Sequence, residues 1–241
     1  MNSCLVIIPT YNEVENIQAI IDAVLVQGSH FSVLVVDDGS PDGTANTVKS
    51  LQTNEKRIHL IERAEKMGLG TAYITGFKYG LDHNFDYIFE MDADFSHNPT
   101  DLSRLLDACI SGADVAIGSR YVKGGNIKNW SKDRVLLSYI ASMYVRMITL
   151  MPIKDPTAGF ICYKRKVLAS LDLGKVKFKG YTFQIEMKYY SWNKGFRLKE
   201  VPITFVDREK GASKMHANIV SEAIKGVLQM RIRKIRGYYK N

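Results

Sequence analysis

The sequence predicts an α/β protein in which a mostly parallel sheet is flanked by helices, with amphipathic helices towards the C-terminus. Short apolar runs of strand length alternate with segments of helical periodicity through about the first 118 residues. Several of these runs are almost continuously apolar, as strands buried on both faces are. Alternating strands and helices form βαβ units, whose crossovers cover both faces of a parallel sheet.

The elements follow in order from residue 5. Strands are predicted at five apolar runs: Leu5–Pro9, Val33–Val36, Ile58–Ile61, Tyr87–Met91 and Val115–Ile117. Helices are predicted where apolar residues recur with helical spacing: Val14–Val26, Thr44–Leu51, Leu69–Leu81 and Pro99–Ile110. The second half is less regular, with a polar loop predicted at Lys123–Asp133 and helices at Val135–Leu150, Tyr181–Lys194 and Asn218–Ile235.

The composition is that of a globular domain. The chain has 241 residues, of which 46% are hydrophobic and 24% charged, and this balance excludes a disordered chain, a collagen and a coiled coil. Lysine and arginine total 33 against 25 acidic residues, and the net charge of +8 suits a polyanionic partner such as nucleic acid, an acidic membrane surface or a phosphorylated small molecule. Three widely spread cysteines without a CxxC pair predict free thiols and a cytoplasmic location.

The segment Val135–Leu150 is the strongest candidate for contact with a membrane. It is shorter than the roughly 20 apolar residues that span a bilayer. Arg146 would cost roughly 3 kcal/mol at the bilayer centre. We therefore predict a helix that is buried or lies in a membrane interface, and no spanning helix.

Three of the predicted strands are followed by segments rich in carboxylate, amide and hydroxyl side chains, and this coincidence is the main functional signal of the sequence. The segments are Pro9–Glu13, Asp37–Ser40 and Asp92–Asp94. In a parallel sheet the carboxyl ends of the strands share one edge, and ligands bind beyond that edge. We therefore expect the three segments to form one site.

Asp92 and Asp94 leave a buried strand two residues apart, so both carboxylates can reach one divalent cation. Oxygen ligands suit Mg²⁺ or Mn²⁺, which usually complete their shell with substrate phosphates and water. The alternative is an acidic turn in which Asp94 caps a helix. A lone DxD is common by chance, and its position after a strand favours the metal site.

The other two strand ends have the composition of a nucleotide site. A carboxylate of the Asp37–Asp38 pair can accept hydrogen bonds from a base or a ribose. The alternative, a rigid turn, explains the neighbouring glycines but explains the aspartate pair less well. Tyr11 could stack on a base and Glu13 could accept from it. The alternative, favoured for this segment alone, is that Asn12 caps the first helix and Glu13 complements its dipole.

Basic side chains at loop positions are candidates for binding phosphate. They are Arg120, Arg134, Arg208 and Lys214. The guanidinium fork pairs with phosphate oxygens, whereas a solvated surface charge is the ordinary reading of any single arginine. No G-x-G-x-x-G follows the first strand and no GxxxxGK occurs, which excludes a dinucleotide dehydrogenase and a P-loop NTPase.

Six motifs together resemble the family 2 glycosyltransferases of the GT-A (Rossmann-like) fold, and within them the dolichol-phosphate or polyprenol-phosphate mannosyltransferases. They occur in the family's order and cover nearly the whole chain: IIPTYNEVENI, VVDDGSPDGT, MDADFSHNP, GSRYVKGG, DPTAGF and VDREKGASKM. The resemblance implies a single domain over residues 1–241, with a nucleotide-binding half at about 1–118 and an acceptor-binding half at about 119–241. Ser96 departs from the Gln that often follows the acidic motif.

The resemblance also implies roles for individual residues. The residues implied for the guanosine are Pro9, Tyr11, Glu13, Val36 and Asp38. Those implied for the diphosphate and the metal are Asp92, Ala93 and Asp94. Arg208 and Lys214 are implied in a loop that closes over the nucleotide, and Arg120 and Arg134 are implied to receive the acceptor phosphate.

The activity that the resemblance implies is inverting transfer of mannose from GDP-mannose to a dolichyl or polyprenyl monophosphate, with Mg²⁺ or Mn²⁺. No general base is assigned, because a phosphate monoester is largely dianionic at neutral pH. The expected location is peripheral, on the cytoplasmic face of a membrane, and a membrane-anchoring partner subunit is compatible with it. The alternatives are a relative that uses UDP-glucose, another donor or a different acceptor, and a non-catalytic nucleotide- or nucleic-acid-binding module. Acidic strand ends would repel nucleic acid, which is not an expected partner.

Overall fold

A seven-stranded sheet organises the part of the chain that the computed structural model describes, residues 2–207 and 218–239. The strands are β1 Cys4–Thr10, β2 Phe31–Asp37, β3 Ile58–Glu62, β4 Tyr87–Glu90, β5 Val115–Ser119, β6 Asn126–Lys128, β7 Ile161–Lys164, β8 Leu198–Pro202 and β9 Thr204–Val206. The helices are α1 Ile17–Leu25, α2 Thr44–Gln52, α3 Leu69–Asp82, α4 Asp101–Ile110, α5 Lys132–Thr149, α6 Arg165–Ser170, α7 Thr182–Asn193 and α8 Asn218–Ile235.

The main sheet has the order β3-β2-β1-β4-β7-β5-β8, and β6 pairs with β9 in a separate small sheet. Strand β7 runs antiparallel to both β4 and β5, and the other pairings of the main sheet are parallel. The predicted mostly parallel sheet is therefore confirmed. Because β7 reverses direction between them, β4 and β5 point the same way, and the segment that enters β7 starts at the edge where both of them end.

Burial on both faces explains the continuous apolar strands. Along β1, Leu5 and Ile7 belong to one buried cluster, whereas Val6 and Ile8 belong to the other. Successive side chains of a strand point to opposite faces, so each face of the sheet has its own core. The three cysteines are buried and free, as predicted.

The observed elements differ from the predicted ones mainly at the starts of helices and in the short strands. Helix α1 begins at Ile17 rather than Val14, because Asn12 adopts a left-handed conformation with φ 58° and the backbone N–H of Val14 donates to Asp42 Oδ2 instead. Helix α5 begins three residues early, with Ser131 as its N-cap. The predicted loop at residues 123–133 contains β6, and β7, β8, β9 and α6 were not predicted.

Helices α5 and α8 expose large apolar side chains. Tyr144 on α5 donates to the backbone oxygen of Ile224 on α8, so the two helices lie side by side. We call their exposed apolar residues the α5–α8 face: Leu136, Leu137, Tyr139, Ile140, Met143, Met147, Ile224, Leu228, Ile232 and Ile235. Within residues 2–207 and 218–239, no helix combines the length and the apolar character needed to cross a bilayer.

Candidate active site

Hydrogen bonds join the loops that follow β1 and β2. The backbone N–H of Asn12 donates to Ser40 Oγ over 2.9 Å, and that of Glu13 donates to Thr44 Oγ1 over 3.0 Å. The Glu13 carboxylate is almost fully buried and accepts from Asn16. The segments that follow β1 and β2 therefore contact each other, as expected from the sequence.

The two aspartates after β2 have different partners. Asp37 is buried and accepts from Thr10 Oγ1 at 2.8 Å and from Ser40 Oγ at 2.6 Å, so it closes the turn. Asp38 instead forms an ion pair with Arg63, whose Nε donates to Asp38 Oδ1 at 2.6 Å. Because both side chains of this pair are at least nine-tenths buried, the pair forms the floor of this part of the site.

The other residues predicted for the nucleotide, Tyr11, Pro9 and Val36, follow or belong to the same two strands. Lys66 Nζ lies 4.5 Å from the centroid of the Tyr11 ring, in cation–π geometry. Pro9 is the register partner of Val36 across β1 and β2. The side chain of Val36 is fully buried in the core, so a nucleotide could meet only its backbone.

The acidic pair follows β4 at the same edge. The side chain of Asp92 is 42% exposed, and Asp94 Oδ1 accepts from the backbone N–H of Ser96 at 3.1 Å. Ala93 between them is buried. The backbone N–H of Asp92 donates to Nδ1 of the buried His97 at 3.5 Å. The side chain of Asp92 therefore reaches solvent, while its backbone N–H is bound by the buried His97 ring.

The environment of His97 favours its neutral form. Burial lowers the pKa of His97 to about 4, with Arg120 acting in the same direction and Asp94 opposing it. The ring stacks on Phe160 with a centroid distance of 5.0 Å. His97 therefore supports the acidic segment as a neutral packing residue.

Arg120 is anchored by a carboxylate as it leaves β5. Its Nε and Nη2 donate to the two oxygens of Asp155, each over 2.7 Å, and Nη2 also donates to Thr157 Oγ1. Asp155 is fully buried. Burial alone would raise the pKa of Asp155, but the charge and hydrogen bonds of Arg120 lower it. Arg120 is therefore a fixed cation at the edge of the sheet.

Trp130 brings the two predicted acceptor arginines together. The Cζ of Arg134 lies 4.1 Å from the Trp130 ring centroid, and that of Arg120 lies 5.7 Å from it. Phe205 on β9 packs edge-on against Trp130 at 5.2 Å and against His97 at 5.6 Å. The arginine cluster and the acidic pair are consequently neighbours through a chain of aromatic contacts.

Two of the predicted residues, Arg208 and Lys214, lie outside the described residues. Asp207, the last described residue before them, accepts a hydrogen bond of 2.7 Å from Arg134 Nη1.

Several site residues were not identified from the sequence. Arg63, Trp130 and Phe205 carry no local pattern that marks them. Asp155 lies in the DPTAGF motif, which marked the segment without giving the residue a role. These residues act through partners that are distant in sequence, 25 residues for Arg63 with Asp38 and 35 for Arg120 with Asp155.

The family model that matches this chain is "Glycosyl transferase family 2", over residues 5–171. A polyprenol monophosphomannose synthase from Mycolicibacterium smegmatis is 48% identical over 230 residues, covering 95% of this chain and 87% of the relative. An undecaprenyl-phosphate mannosyltransferase from Micrococcus luteus is 44% identical, covering 92% of this chain and 91% of the relative. A dolichol-phosphate mannosyltransferase from Pyrococcus furiosus is 36% identical, covering 93% of this chain and 62% of the relative.

Solved structures share the fold at much lower identity. Glucosyl-3-phosphoglycerate synthase from Mycobacterium tuberculosis superposes with a TM-score of 0.69 at 16% identity, covering 95% of this chain and 80% of that protein. A mannosyltransferase from Pyrobaculum calidifontis, solved with GDP-Man and Mn²⁺, superposes with a TM-score of 0.54 at 15% identity, covering 97% of this chain and 74% of that protein.

Proposed function

The chain belongs to glycosyl transferase family 2 and has a GT-A-like fold, and from this premise we propose that it transfers mannose from GDP-mannose to a polyprenyl monophosphate. The relatives at 44% and 48% identity bear the names of enzymes that join mannose to such lipids. The nucleotide comes from the resemblance of the motifs, and not from those names.

The observation that carries the proposal is that an acidic pair and an arginine cluster lie at one edge of the sheet and are linked by the contacts of His97, Phe205 and Trp130. A nucleotide diphosphate with a divalent cation suits Asp92 and Asp94, and a phosphate nucleophile suits Arg120 and Arg134. His97, through its contact with Phe205, connects the two. Direct displacement at a sugar carbon brings the nucleophile and the leaving group to opposite sides of that carbon, and in the proposed function the arginines hold the first and the acidic pair the second.

On the donor side, the guanosine occupies the floor formed by Asp38 and Arg63. Tyr11 offers a ring face for stacking and the buried Glu13 offers a carboxylate acceptor, while Pro9 and Val36 contribute backbone. Arg208 and Lys214 would add cations where charge develops on the leaving diphosphate. Their placement in the site is part of the proposal.

The donor set fits a hard divalent cation, Mg²⁺ or Mn²⁺. Asp92 and Asp94 supply carboxylate oxygens, with Ala93 between them. This pair is not part of a larger cluster, because the described residues contain no group of three or more acidic, histidine or cysteine side chains that could hold a metal ion. Two carboxylates leave coordination positions for substrate phosphates and water, as Mg²⁺ sites usually do. When bound, such a cation neutralises the charge that grows on the departing diphosphate.

On the acceptor side, the protein orients a nucleophile that needs no deprotonation. A phosphate monoester has its second pKa near 6 and is largely dianionic at neutral pH. Arg120, fixed by Asp155, and Arg134, about one-third exposed, hold that dianion beside the sugar. No general base is required, and inversion at the anomeric carbon follows from a single displacement.

The proposed place of action is the cytoplasmic face of a membrane. The α5–α8 face exposes apolar side chains, and α5 begins beside Arg134, which would place the acceptor arginines near a lipid headgroup. Basic residues of α8, among them Arg231 and Lys234, add attraction to anionic lipid of about 1 kcal/mol each. A membrane-anchoring partner subunit, which the sequence left possible, has no support among the relatives and is not part of the proposed function.

The direct test incubates the purified protein with polyprenyl phosphate, Mn²⁺ or Mg²⁺, and one nucleotide sugar at a time. GDP-mannose, GDP-glucose, UDP-glucose and UDP-GlcNAc form the panel, and mass spectrometry identifies the lipid product. We expect polyprenyl phosphate mannose from GDP-mannose alone. A lipid-linked product from a uridine donor only would overturn the donor, and a sugar on a hydroxyl acceptor only would overturn the acceptor.

A further inference from the structure

One backbone segment, residues 155–160, touches both sides of the proposed site. At its beginning, Asp155 and Thr157 accept the hydrogen bonds that fix the guanidinium of Arg120. This segment enters β7, and it therefore lies at the edge where β4 and β5 both end.

The end of the same segment supports the acidic pair. Phe160 stacks on His97, and His97 accepts the hydrogen bond from the backbone N–H of Asp92. A shift of residues 155–160 would consequently move the acceptor arginine and the acidic pair relative to each other.

A buried lysine holds the middle of this segment. Lys188 lies on α7, is fully buried, and donates from Nζ to the backbone oxygen of Ala158 over 2.6 Å. A Cβ added to Gly159 would lie 3.7 Å from Gln184 Nε2 and 3.9 Å from His97 Cε1, so the backbone here runs between α7 and His97. The lysine therefore ties α7 to the segment that packs between this helix and His97.

Burying this lysine is costly, and the surrounding charges offset the cost. A charged amine taken out of water is destabilising unless it is paired, and lysine is almost never fully buried without a partner. Burial lowers the pKa of Lys188 to about 8; the carboxylates of Glu90, Asp155 and Glu200 oppose this and Arg120 adds to it. Glu90 is the last residue of β4, two positions before the acidic pair. Lys188 thus lies among charges from both sides of the site.

We propose that Lys188 is a positioning residue for the transfer reaction: its hold on the Ala158 carbonyl fixes the segment that places Arg120 against the acidic pair. This inference rests on the proposed function. Loss of Lys188 slows transfer to lipid phosphate more than it slows reaction of the donor with water, because water needs no arginine to position it.

The test compares Lys188→Met and Lys188→Gln with Ser191→Ala as a matched control. Ser191 is a buried polar residue of the same helix whose hydroxyl donates to the helix backbone, at the oxygen of Met187. All variants carry Trp192→Phe, so that Trp130, which contacts both acceptor arginines, is the only tryptophan. Three quantities are measured: transfer to polyprenyl phosphate, hydrolysis of GDP-mannose without acceptor, and the emission of Trp130.

We expect the ratio of transfer to hydrolysis to fall about tenfold or more in Lys188→Met, since small misplacements of reacting groups cost this much. Trp130 emission shifts in the same variant, and Ser191→Ala changes neither quantity. An unchanged ratio, including an equal loss of both rates, overturns the inference because it marks a purely structural role. Lys188→Gln decides in the same way if the Met variant does not fold.

The proposed function and this inference can fail separately. If the parent protein forms no lipid product from any donor, the proposed function is wrong. The emission of Trp130 then tests whether Lys188 positions the arginine cluster. A shift confined to the Lys188 variants supports the link between Lys188 and the arginine cluster, whereas identical emission in parent and variants overturns it.

Discussion

The guanidinium of Arg120 meets the carboxylate of Asp155 through two hydrogen bonds of 2.7 Å, and the backbone N–H of Arg120 adds a third of 3.0 Å. Asp155→Asn would leave a buried guanidinium without its counter-charge. Breaking a buried pair in this way costs about 3–5 kcal/mol. We expect the free energy of unfolding in urea to fall by this amount and the transfer rate to fall about tenfold or more. Glu62→Gln is the control, because the Lys49–Glu62 pair is about half exposed and its loss costs about 1 kcal/mol or less.

The same pair sets a dependence on pH. The pKa of Asp155 is lowered from its ordinary 3.8 in the folded protein, so its contribution to stability is complete above that value and is lost as the pH falls through the folded pKa. The difference in unfolding free energy between wild type and Asp155→Asn should therefore be constant near neutral pH and shrink in acid. A difference that grew as the pH fell from 7 to about 4 would contradict this assignment.

Asp94→Asn keeps the size of the side chain and removes one carboxylate of the acidic pair. If a cation binds there, the developing charge on the diphosphate loses its neutralisation, and transfer should fall about a hundredfold or more. Thermal unfolding without ligand should change little. Asp82→Asn, on the exposed end of α3, is the control. Turnover within about twofold of wild type would remove Asp94 from the site.

Trp130→Leu removes the ring that Arg134 packs against at 4.1 Å. A cation–π contact at a partly exposed site contributes about 0.5–1 kcal/mol, which corresponds to a two- to fivefold rise in KM for polyprenyl phosphate. The KM for GDP-mannose should not change. Trp192→Leu, on α7, is the matched control, and equal effects of the two substitutions would show that the loss is not specific to the acceptor.

The α5–α8 face should bind lipid bilayers. Leu137→Asp with Ile140→Asp places two charges on a surface where each side chain is about half exposed, so binding to vesicles rich in anionic lipid should weaken strongly. Hydrolysis of GDP-mannose in solution should persist. Ile110→Asp, at the end of α4, is equally exposed and lies outside this face. Vesicle binding that survives the double substitution would contradict the assignment.

Two glycines of α3 differ in how well they would accept a methyl group. A Cβ at Gly76 would lie 2.6 Å from Cγ2 of Ile7, a branch held close to the β1 backbone. A Cβ at Gly80 would lie 2.7 Å from Cδ1 of Ile88, the end of a side chain that can turn away. Gly76→Ala should cost about 1–3 kcal/mol in unfolding free energy and Gly80→Ala less. The reverse order would show that the helix shifts instead.

The sequence predicts the first half of the fold well because its strands are buried on both faces. Runs such as the one in β1 are apolar at consecutive positions, and their helices have regular apolar spacing. Strand β7 has four residues, and its place depends on pairing with Phe89 and Ala116, far away in sequence. Strand β8 includes Lys199 and Glu200, which break the apolar pattern. Short strands defined by distant partners leave little local signal.

The same distinction separates the predicted from the unpredicted parts of the site. The acidic pair is recognisable because two carboxylates directly follow a strand. Arg120 is recognisable as a loop cation, but the carboxylate that anchors it lies 35 residues away. In the sequence Phe205 resembles an ordinary core residue and Lys188 an ordinary surface residue, and their relation to the site comes only from the packing of β9 and α7.

Because β7 lies between β4 and β5 in the sheet, the chain cannot be divided before β7 without leaving a gap in the sheet. β5 bonds to β7 and β8 but not to β4, so a fragment ending near residue 118 would contain β4 and β5 without the strand that lies between them. The unpaired N–H and C=O groups of β4 would then be open to intermolecular pairing. During synthesis at the ribosome, this border stays open until residues 161–164 emerge, and the edge strand β8 can join the sheet only after residues 198–202 follow.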